Sequence, residues 1–179
     1  MLTLQNTALV VIDVQEKLSR VMHEKERLFE NIQKLIKGAQ ALGIPILLTE
    51  QNPNGLGPTV PEVAHLLSDI QPIPKFSFSC CGDECFLQEL KALNRRQIIL
   101  AGIETHVCVY QTVIDLLSLG YEAHVVADAV SSRTAENKKV GLEKMRDEGA
   151  RVTSVETALF ELLKVAKGAI FKEISKIVR

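Results

Sequence analysis

The sequence lacks any apolar run that approaches the length of a membrane-spanning segment. Its N-terminus also lacks the basic region and the small-residue cleavage site of a secretory signal peptide. We therefore expect a cytoplasmic protein with no membrane partner. In that reducing compartment, the four cysteines do not imply a disulfide framework.

The chain has no excess of charge of either sign. Lysine and arginine total 21, aspartate and glutamate total 22, and the formal net charge is −1. Without a basic stripe there is no electrostatic footprint for nucleic acid. We therefore expect the partner to be a small molecule or another copy of the chain, and not a nucleic acid.

Three motifs of common ligand-binding and hydrolytic folds are also missing. The sequence contains no Gly-x-Gly-x-x-Gly, no Gly-x-x-x-x-Gly-Lys-[Ser/Thr] and no Gly-x-Ser-x-Gly. The first two motifs hold dinucleotides and nucleotide phosphates, and the third carries a serine nucleophile. A nucleotide- or flavin-binding module is therefore disfavoured, and no cofactor is implied.

What the chain does contain is an alternation of short apolar runs with longer helical patterns. The runs are bounded by turn residues, which predicts six strands, at 8–12, 44–49, 73–78, 98–101, 122–127 and 150–155. Such alternation is typical of βαβ crossovers and of a sheet covered on both faces. We predict one α/β domain over residues 1–179, with three α/β/α layers around a six-stranded, mostly parallel, Rossmann-like sheet. The segment 50–61, rich in proline and glycine, is predicted to be a surface loop.

Three residues with complementary chemistry lie at or near the ends of predicted strands: Asp13, Lys75 and Cys108. In an open parallel sheet, ligands bind beyond the carboxyl ends of the strands. Gly102 is predicted to end the fourth strand, which places Cys108 in a strand-to-helix turn. Unpaired N–H groups and the helix dipole favour a thiolate over a thiol at such a position.

Each of the three residues also has a structural explanation. A lone aspartate after a strand is often a turn former, a lone lysine is usually solvated, and a small thiol packs well between a helix and a sheet. Together, however, the three residues have the functions that a nucleophilic cysteine needs. The carboxylate can take the thiol proton, the ammonium lowers the pKa of the thiol, and backbone N–H groups can hold an oxyanion. The combination predicts a cysteine that attacks an electrophilic carbon.

Five segments spread over nearly the whole chain resemble the isochorismatase-like (cysteine hydrolase) superfamily, closest to isochorismatase domain-containing proteins of unknown substrate. In chain order they are ALVVIDVQEKL, LLTEQNPNGLGPTVPEV, KFSFSC, ILAGIETHVCV and HVVADAVSSRT. The resemblance implies that Asp13, Lys75 and Cys108 form a catalytic triad. It also implies a cis peptide bond between Ile103 and Glu104, which aims the backbone N–H groups of Glu104 and Cys108 into an oxyanion hole.

Departures from the family pattern bear on the substrate. Relatives that hydrolyse nicotinamide carry an Asp-x-His and a further histidine in the loop after the second strand, where they bind a metal. The segment 50–61 contains neither residue type, so a nicotinamidase is disfavoured and no metal is expected. Relatives that cleave isochorismate commonly lack the cysteine, whereas Cys108 is present here. The resemblance therefore implies attack at an amide, ureido or similar C–N bond through a thioester.

The resulting hypothesis is a cofactor-free cysteine hydrolase of a small molecule, working as a homo-oligomer (dimer or tetramer) as its relatives do. The alternative is a non-catalytic or oligomer-forming binding protein that retains the fold. Possible pocket residues beside the triad are Gln15, Phe76, Phe78 and His106. Gln15 is expected to support the turn after the first strand, and packing or solvent exposure explains the other three equally well.

Three further cysteines lie around the start of one predicted helix: Cys80, Cys81 and Cys85. A zinc site needs about four ligands at characteristic spacings. This run has no histidine nearby and fits those spacings poorly. We expect these cysteines to be small residues that line the pocket wall, with Cys80 or Cys81 near Cys108.

Overall fold

The computed structural model describes the whole chain, Met1–Arg179. Its six strands form one sheet in which every neighbouring pair is parallel. They are β1 Thr7–Ile12, β2 Ile46–Gln51, β3 Ile73–Lys75, β4 Gln97–Ile103, β5 Glu122–Ser131 and β6 Arg151–Thr153. The order across the sheet is β3-β2-β1-β4-β5-β6. The predicted α/β fold is confirmed, and the sheet is wholly parallel.

Helices cover both faces of this sheet. In chain order they are α1 Glu16–Ser19, α2 Lys25–Ala41, α3 Pro53–Leu56, α4 Pro61–Ala64, α5 Glu84–Ala92, α6 Tyr110–Ser118, α7 Ala135–Asp147, α8 Val155–Leu163 and α9 Gly168–Ile177. None of them combines the length and the apolarity that crossing a membrane would need.

The central strand β1 is buried along its whole length. Leu9 and Val11 belong to the core on one face, which α2, α8 and α9 cover. Ala8, Val10 and Ile12 belong to the core on the other face, under α5, α6 and α7. Because both faces are covered, the strand is a continuous apolar run rather than an alternating one.

The fourth strand does not end before Gly102, as the sequence predicts, but continues through it to Ile103. Gly102 has φ +119°, and a Cβ atom at this position would overlap the carbonyl oxygen of Ile12 on β1. The pairing of β4 with β5 also shifts register between Leu100 and Gly102. Glycine therefore serves here as the point where two central strands approach closely, not as the end of a strand.

The segment predicted as a loop contains a short helix, α3, that begins at Pro53, and α4 begins at Pro61. Proline suits the first turn of a helix because the N–H that it lacks would have no helical partner. Gln15 fastens this segment to the end of β1. Its Oε1 accepts from the N–H of Gln51 at 2.7 Å, and its Nε2 donates to the carbonyls of Gln51 and Gly57 at 2.9 and 2.7 Å.

Candidate active site

Asp13 directly follows β1 and is completely buried. Its φ of +52° lies in the left-handed region, which aspartate tolerates better than most side chains. Thr49 on β2 holds it at two points. The N–H of Asp13 donates to the carbonyl of Thr49 at 3.2 Å, and the Thr49 hydroxyl donates to Asp13 Oδ1 at 2.8 Å. The neighbouring strand therefore fixes both the backbone and the carboxylate.

Lys75 ends β3, the edge strand that lies two positions from β1. Its side chain crosses β2, and Nζ lies 2.7 Å from Asp13 Oδ2 in a pair with no exposed side-chain surface. Nζ also donates to Gln51 Oε1 at 2.8 Å and to the carbonyls of Ser77 and Phe78 at 3.2 and 3.0 Å. Four protein acceptors thus surround three N–H groups, so the ammonium is fully occupied.

Cys108 lies in a five-residue π-helical turn, Thr105–Val109, between β4 and α6. The carbonyl of Glu104 accepts hydrogen bonds from the N–H groups of Val107 and Val109 at 3.1 and 3.2 Å. The peptide bond that precedes Glu104 is cis. Single π-helical turns are rare in proteins, and those that occur are often found at functional sites.

The turn is fastened to the chain that follows β5. Oε2 of Glu104 accepts from Nε and from the backbone N–H of Arg133, at 3.2 and 3.3 Å. Helix α7 packs directly against the turn at Gly141. The approach is so close that a Cβ atom at this position would lie 2.9 Å from backbone atoms of Thr105 and His106. The position of the Cys108 backbone is therefore set by β5 and α7 as well as by β4.

Cys108 is only 6% exposed, and its thiol interacts electrostatically with Asp13 and Lys75. Burial raises the pKa of this thiol to about 12, the negative charge of Asp13 acts in the same direction, and Lys75 opposes both. Lys75 lowers the pKa of Cys108, as the sequence predicts, but desolvation and the neighbouring carboxylate outweigh it, so that the net effect is a raised pKa. The resting group is a thiol beside a carboxylate.

Alkaline pH should destabilise the protein through its buried thiols. Burial also raises the pKa of Cys80, to about 11, so the folded state holds both protons more tightly than the unfolded chain, whose thiols titrate near 9.0. This contribution is complete below the unfolded pKa and is lost as the pH rises toward the folded values. We expect urea unfolding to show a loss of about 1 kcal/mol for each of the two thiols between about pH 8 and pH 10. The loss should be smaller in Cys108→Ala and unchanged in Cys85→Ala; equal losses in these two variants would contradict the assignment.

The cluster is completed by Cys80, which the sequence analysis expects to line the pocket, and by two threonines that it does not single out, Thr49 and Thr112. The sulfur of Cys80, which is fully buried, lies 3.8 Å from Thr49 Oγ1. Because Thr49 gives its only hydroxyl proton to Asp13, the Cys80 thiol is the donor in this pair. The N–H of Cys80 donates to Thr112 Oγ1 at 2.9 Å, and the Thr112 hydroxyl donates to the carbonyl of Cys108 at 2.7 Å. For the two threonines, the only sequence signal is that Thr49 ends a predicted strand.

The four possible pocket residues lie in different environments. Gln15 is fully buried, and its amide is used in holding the segment after β2. Phe76 and Phe78 are 79% and 55% exposed. His106 is half-buried, with Nδ1 3.0 Å from Ser132 Oγ.

All four cysteines are free thiols, and they differ in exposure. Cys80 and Cys108 are buried, Cys81 is half-buried and Cys85 is exposed. No group of three or more histidine, cysteine, aspartate or glutamate side chains is arranged to hold a metal ion. Cys85 is therefore an internal reference for the reactivity of the buried Cys108.

A family model described as the Isochorismatase domain matches residues 7–157. Among curated relatives, isochorismatase domain-containing protein 2 of Xenopus laevis is 39% identical over 175 residues, which cover 97% of this chain and 84% of that protein. The solved structure of MAR1 ribonuclease from Caenorhabditis elegans is 37% identical, with a TM-score of 0.91 over 99% of this chain and 91% of that one. The YcaC gene product of Escherichia coli is 24% identical, with a TM-score of 0.93 over 98% and 88% of the two chains, and so shares the fold.

Proposed function

The chain belongs to the isochorismatase family, and from that membership and the geometry of the site we propose that it is a cysteine hydrolase that cleaves a C–N bond of a small molecule. Cys108 is the proposed nucleophile, Asp13 the general base and Lys75 a fixed positive charge. The observation that carries the proposal is the buried ion pair of Asp13 and Lys75, which interacts electrostatically with the thiol of Cys108 in the turn after β4. Burying an ion pair beside a free thiol costs desolvation free energy. Packing alone does not require such a pair, so its presence supports a functional role.

The proposed reaction begins with a thiol, because the resting Cys108 is protonated. As the sulfur attacks the carbonyl carbon, the C–S bond forms, the thiol proton passes to Asp13, and the C=O electron pair moves to oxygen. When this tetrahedral intermediate collapses, the C–N bond breaks and the leaving nitrogen takes the proton from Asp13. The products of this half are a thioester on Cys108 and ammonia or an amine.

Water completes the proposed cycle. Asp13, again a carboxylate, takes a proton from the water molecule whose oxygen attacks the thioester carbon. The C–S bond then breaks, the proton passes from Asp13 to the sulfur, and the carboxylic acid leaves. Thiol and carboxylate are both restored, so the cycle balances with no cofactor.

The role proposed for Lys75 is electrostatic. Its three N–H groups are taken by protein acceptors, so it has none left to donate to a substrate. When the proton moves from the thiol to Asp13, negative charge moves from the carboxylate to the reacting atoms. The fixed ammonium remains close to that charge throughout and stabilises it in a site with little water.

We further propose that the backbone N–H groups of Glu104 and Cys108 form the oxyanion hole. Both residues belong to the segment that Arg133 and α7 hold in place. Preorganised donors are effective because they need no rearrangement as charge develops, and the loss of one typically costs about 100- to 1000-fold in rate. Phe76, Phe78 and His106 are proposed as substrate contacts at the edge of the site.

Relatives and the net charge of the chain also support our proposals for the substrate and the assembly. A proposal for the location of the protein follows from its thiols. The E. coli YcaC product is described as an octameric hydrolase of unknown specificity, which supports a homo-oligomer. The C. elegans relative is named a ribonuclease. RNA is disfavoured as a substrate here, because the net charge is −1 and the lysine of the site is fully occupied. We place the protein in the cytoplasm, where its four thiols stay reduced.

A panel of small amides, ureas and carbamates, with an RNA oligonucleotide as a separate arm, tests the proposed function. We expect release of ammonia or amine from at least one member of the panel. Cys108→Ala should lower that rate by about 1000-fold or more, because the thioester can no longer form. Mass spectrometry of the acid-quenched wild-type protein should find the acyl group on the peptide that carries Cys108.

The matched control is Cys85→Ala, which removes an exposed thiol and should leave the rate and the adduct unchanged. Full activity in Cys108→Ala would overturn the nucleophile. Cleavage of RNA without turnover of any amide would overturn the substrate class. Binding of panel members without turnover would favour the non-catalytic binding protein instead.

A further inference from the structure

Gln51 lies beside the triad, and the proposed reaction assigns no role to its side chain beyond accepting a hydrogen bond from Lys75. Its Oε1 accepts from Lys75 Nζ at 2.8 Å, and its Nε2 donates to the carbonyl of Phe76 at 2.7 Å. Its backbone N–H donates to Gln15 Oε1 at 2.7 Å, and its carbonyl accepts from Gln15 Nε2 at 2.9 Å. An ammonium at one end and a carbonyl at the other fix the orientation of the side-chain amide without ambiguity.

We propose that Gln51 is a positioning residue, which holds the Lys75 ammonium against Asp13 without cancelling its charge. The proposal rests on the proposed function and deepens it, since it explains how the fixed charge is kept available. Gln15 supports Gln51 in turn by pairing with both of its backbone groups, in the way that a neighbouring strand would.

The charges around Lys75 show why a neutral acceptor matters. Asp13 is the one carboxylate bonded to the ammonium, and the thiols of Cys80 and Cys108 are the other titratable groups that act on it. One carboxylate and one ammonium make a neutral cluster before the thiol gives up its proton. A second carboxylate bonded to Lys75 would give the cluster an excess negative charge and oppose the loss of that proton.

The two polar residues at the end of β2 point to opposite sides. Glu50 directs its carboxylate toward Thr59, whose N–H and hydroxyl each donate to Oε1 at 2.7 Å. Gln51 directs its amide toward Lys75. Successive side chains of a strand alternate between its faces, so β2 presents the amide to the cluster and keeps its acidic neighbour away.

The isosteric substitution Gln51→Glu tests charge separately from shape. The probe is iodoacetamide, and peptide mass mapping gives the alkylation rate of Cys108 relative to that of exposed Cys85 in the same molecule. At about pH 8 we expect this ratio to fall about tenfold or more, because a negative charge beside the cluster raises the pKa of the thiol by about one unit or more. Gln51→Met removes the acceptor oxygen and adds no charge. We therefore expect the ratio to fall in this variant too, but by a factor several times smaller than in Gln51→Glu.

Gln40→Glu is the matched control, because its Nε2 also donates to a carbonyl, that of Leu66, but at an exposed position on α2. This variant should keep the wild-type ratio. An unchanged ratio in Gln51→Glu would overturn the proposal, and so would equal falls in Gln51→Glu and Gln51→Met. The readout needs no turnover, so its failure is distinct from that of the proposed function, which Cys108→Ala decides. If Gln51→Glu does not fold, Gln51→Met still tests the proposal, because an unchanged ratio in this variant would show that the amide does not hold Lys75 and would overturn it.

Discussion

Removing either member of the buried Asp13–Lys75 pair should destabilise the protein by about 3–5 kcal/mol, and removing both should cost much less than the sum. The charged atoms are 2.7 Å apart, and neither side chain is exposed. Asp13→Asn leaves a buried ammonium without its counter-ion, and Lys75→Met leaves a buried carboxylate without one. The double variant contains neither charge, so no uncompensated charge is buried.

Urea unfolding of the wild type, the two single variants and the double variant measures this cycle. All three variants should also lose turnover, because each lacks the base or the fixed charge, so stability and activity separate in the double variant. The matched control is the exposed pair Lys139–Glu143, 3.8 Å apart on α7. Replacing either of these residues should change the stability by less than about 1 kcal/mol. Strictly additive losses at Asp13 and Lys75 would show that their charges are not coupled.

Gly102→Ala should cost about 3 kcal/mol or more, or prevent the protein from folding. The added methyl group meets the backbone of Ile12 on β1, which is not a flexible side chain that can move aside. The φ of +119° adds a conformational penalty for any residue with a Cβ atom. Because Ile12 immediately precedes Asp13, any shift that relieves the overlap also moves the proposed base. Folded Gly102→Ala should therefore be less active as well as less stable.

Gly120→Ala is the matched control for this substitution. Gly120 also has a positive φ, +81°, but a Cβ atom there would have nothing within 4 Å. Its variant should carry the conformational penalty alone, about 1 kcal/mol. Thermal and urea unfolding of both variants measure the difference. If Gly102→Ala is as stable as Gly120→Ala, β1 and β4 do not approach each other as closely as the structure indicates.

The fold was predictable because parallel strands covered on both faces leave a strong signal in the sequence. The apolar runs that became β1 and β4 are buried on both sides, so their composition follows directly from their place in the sheet. The meeting of Asp13 and Lys75 was also predictable, since Asp13 follows such a run and Lys75 lies in another predicted strand. The rule that parallel strands present their carboxyl ends at one edge then placed them together.

Long-range features of the site were not predictable in the same way. The local sequence around Cys108 contains a helix start, which favours a thiolate, but the opposing effects come from enclosure and from Asp13, 95 residues earlier in the chain. Gly102 was misinterpreted for a related reason. Its local preference is to interrupt a strand, whereas its role depends on a neighbouring strand that the sequence does not identify. The contacts of Thr49 and Gln51 follow from the register of β2, which is likewise set by tertiary pairing.

The proposed catalytic site depends on β3, which lies at one edge of the sheet. This outermost strand pairs over only three residues, yet it provides the cation, while the acid and the sulfur are provided by the interior. The buried ion pair therefore also ties this short edge strand to the centre of the sheet. If β3 separates from β2, the Lys75 ammonium leaves the site while Asp13 and Cys108 stay in place. Catalytic activity should therefore be lost well before the protein as a whole unfolds.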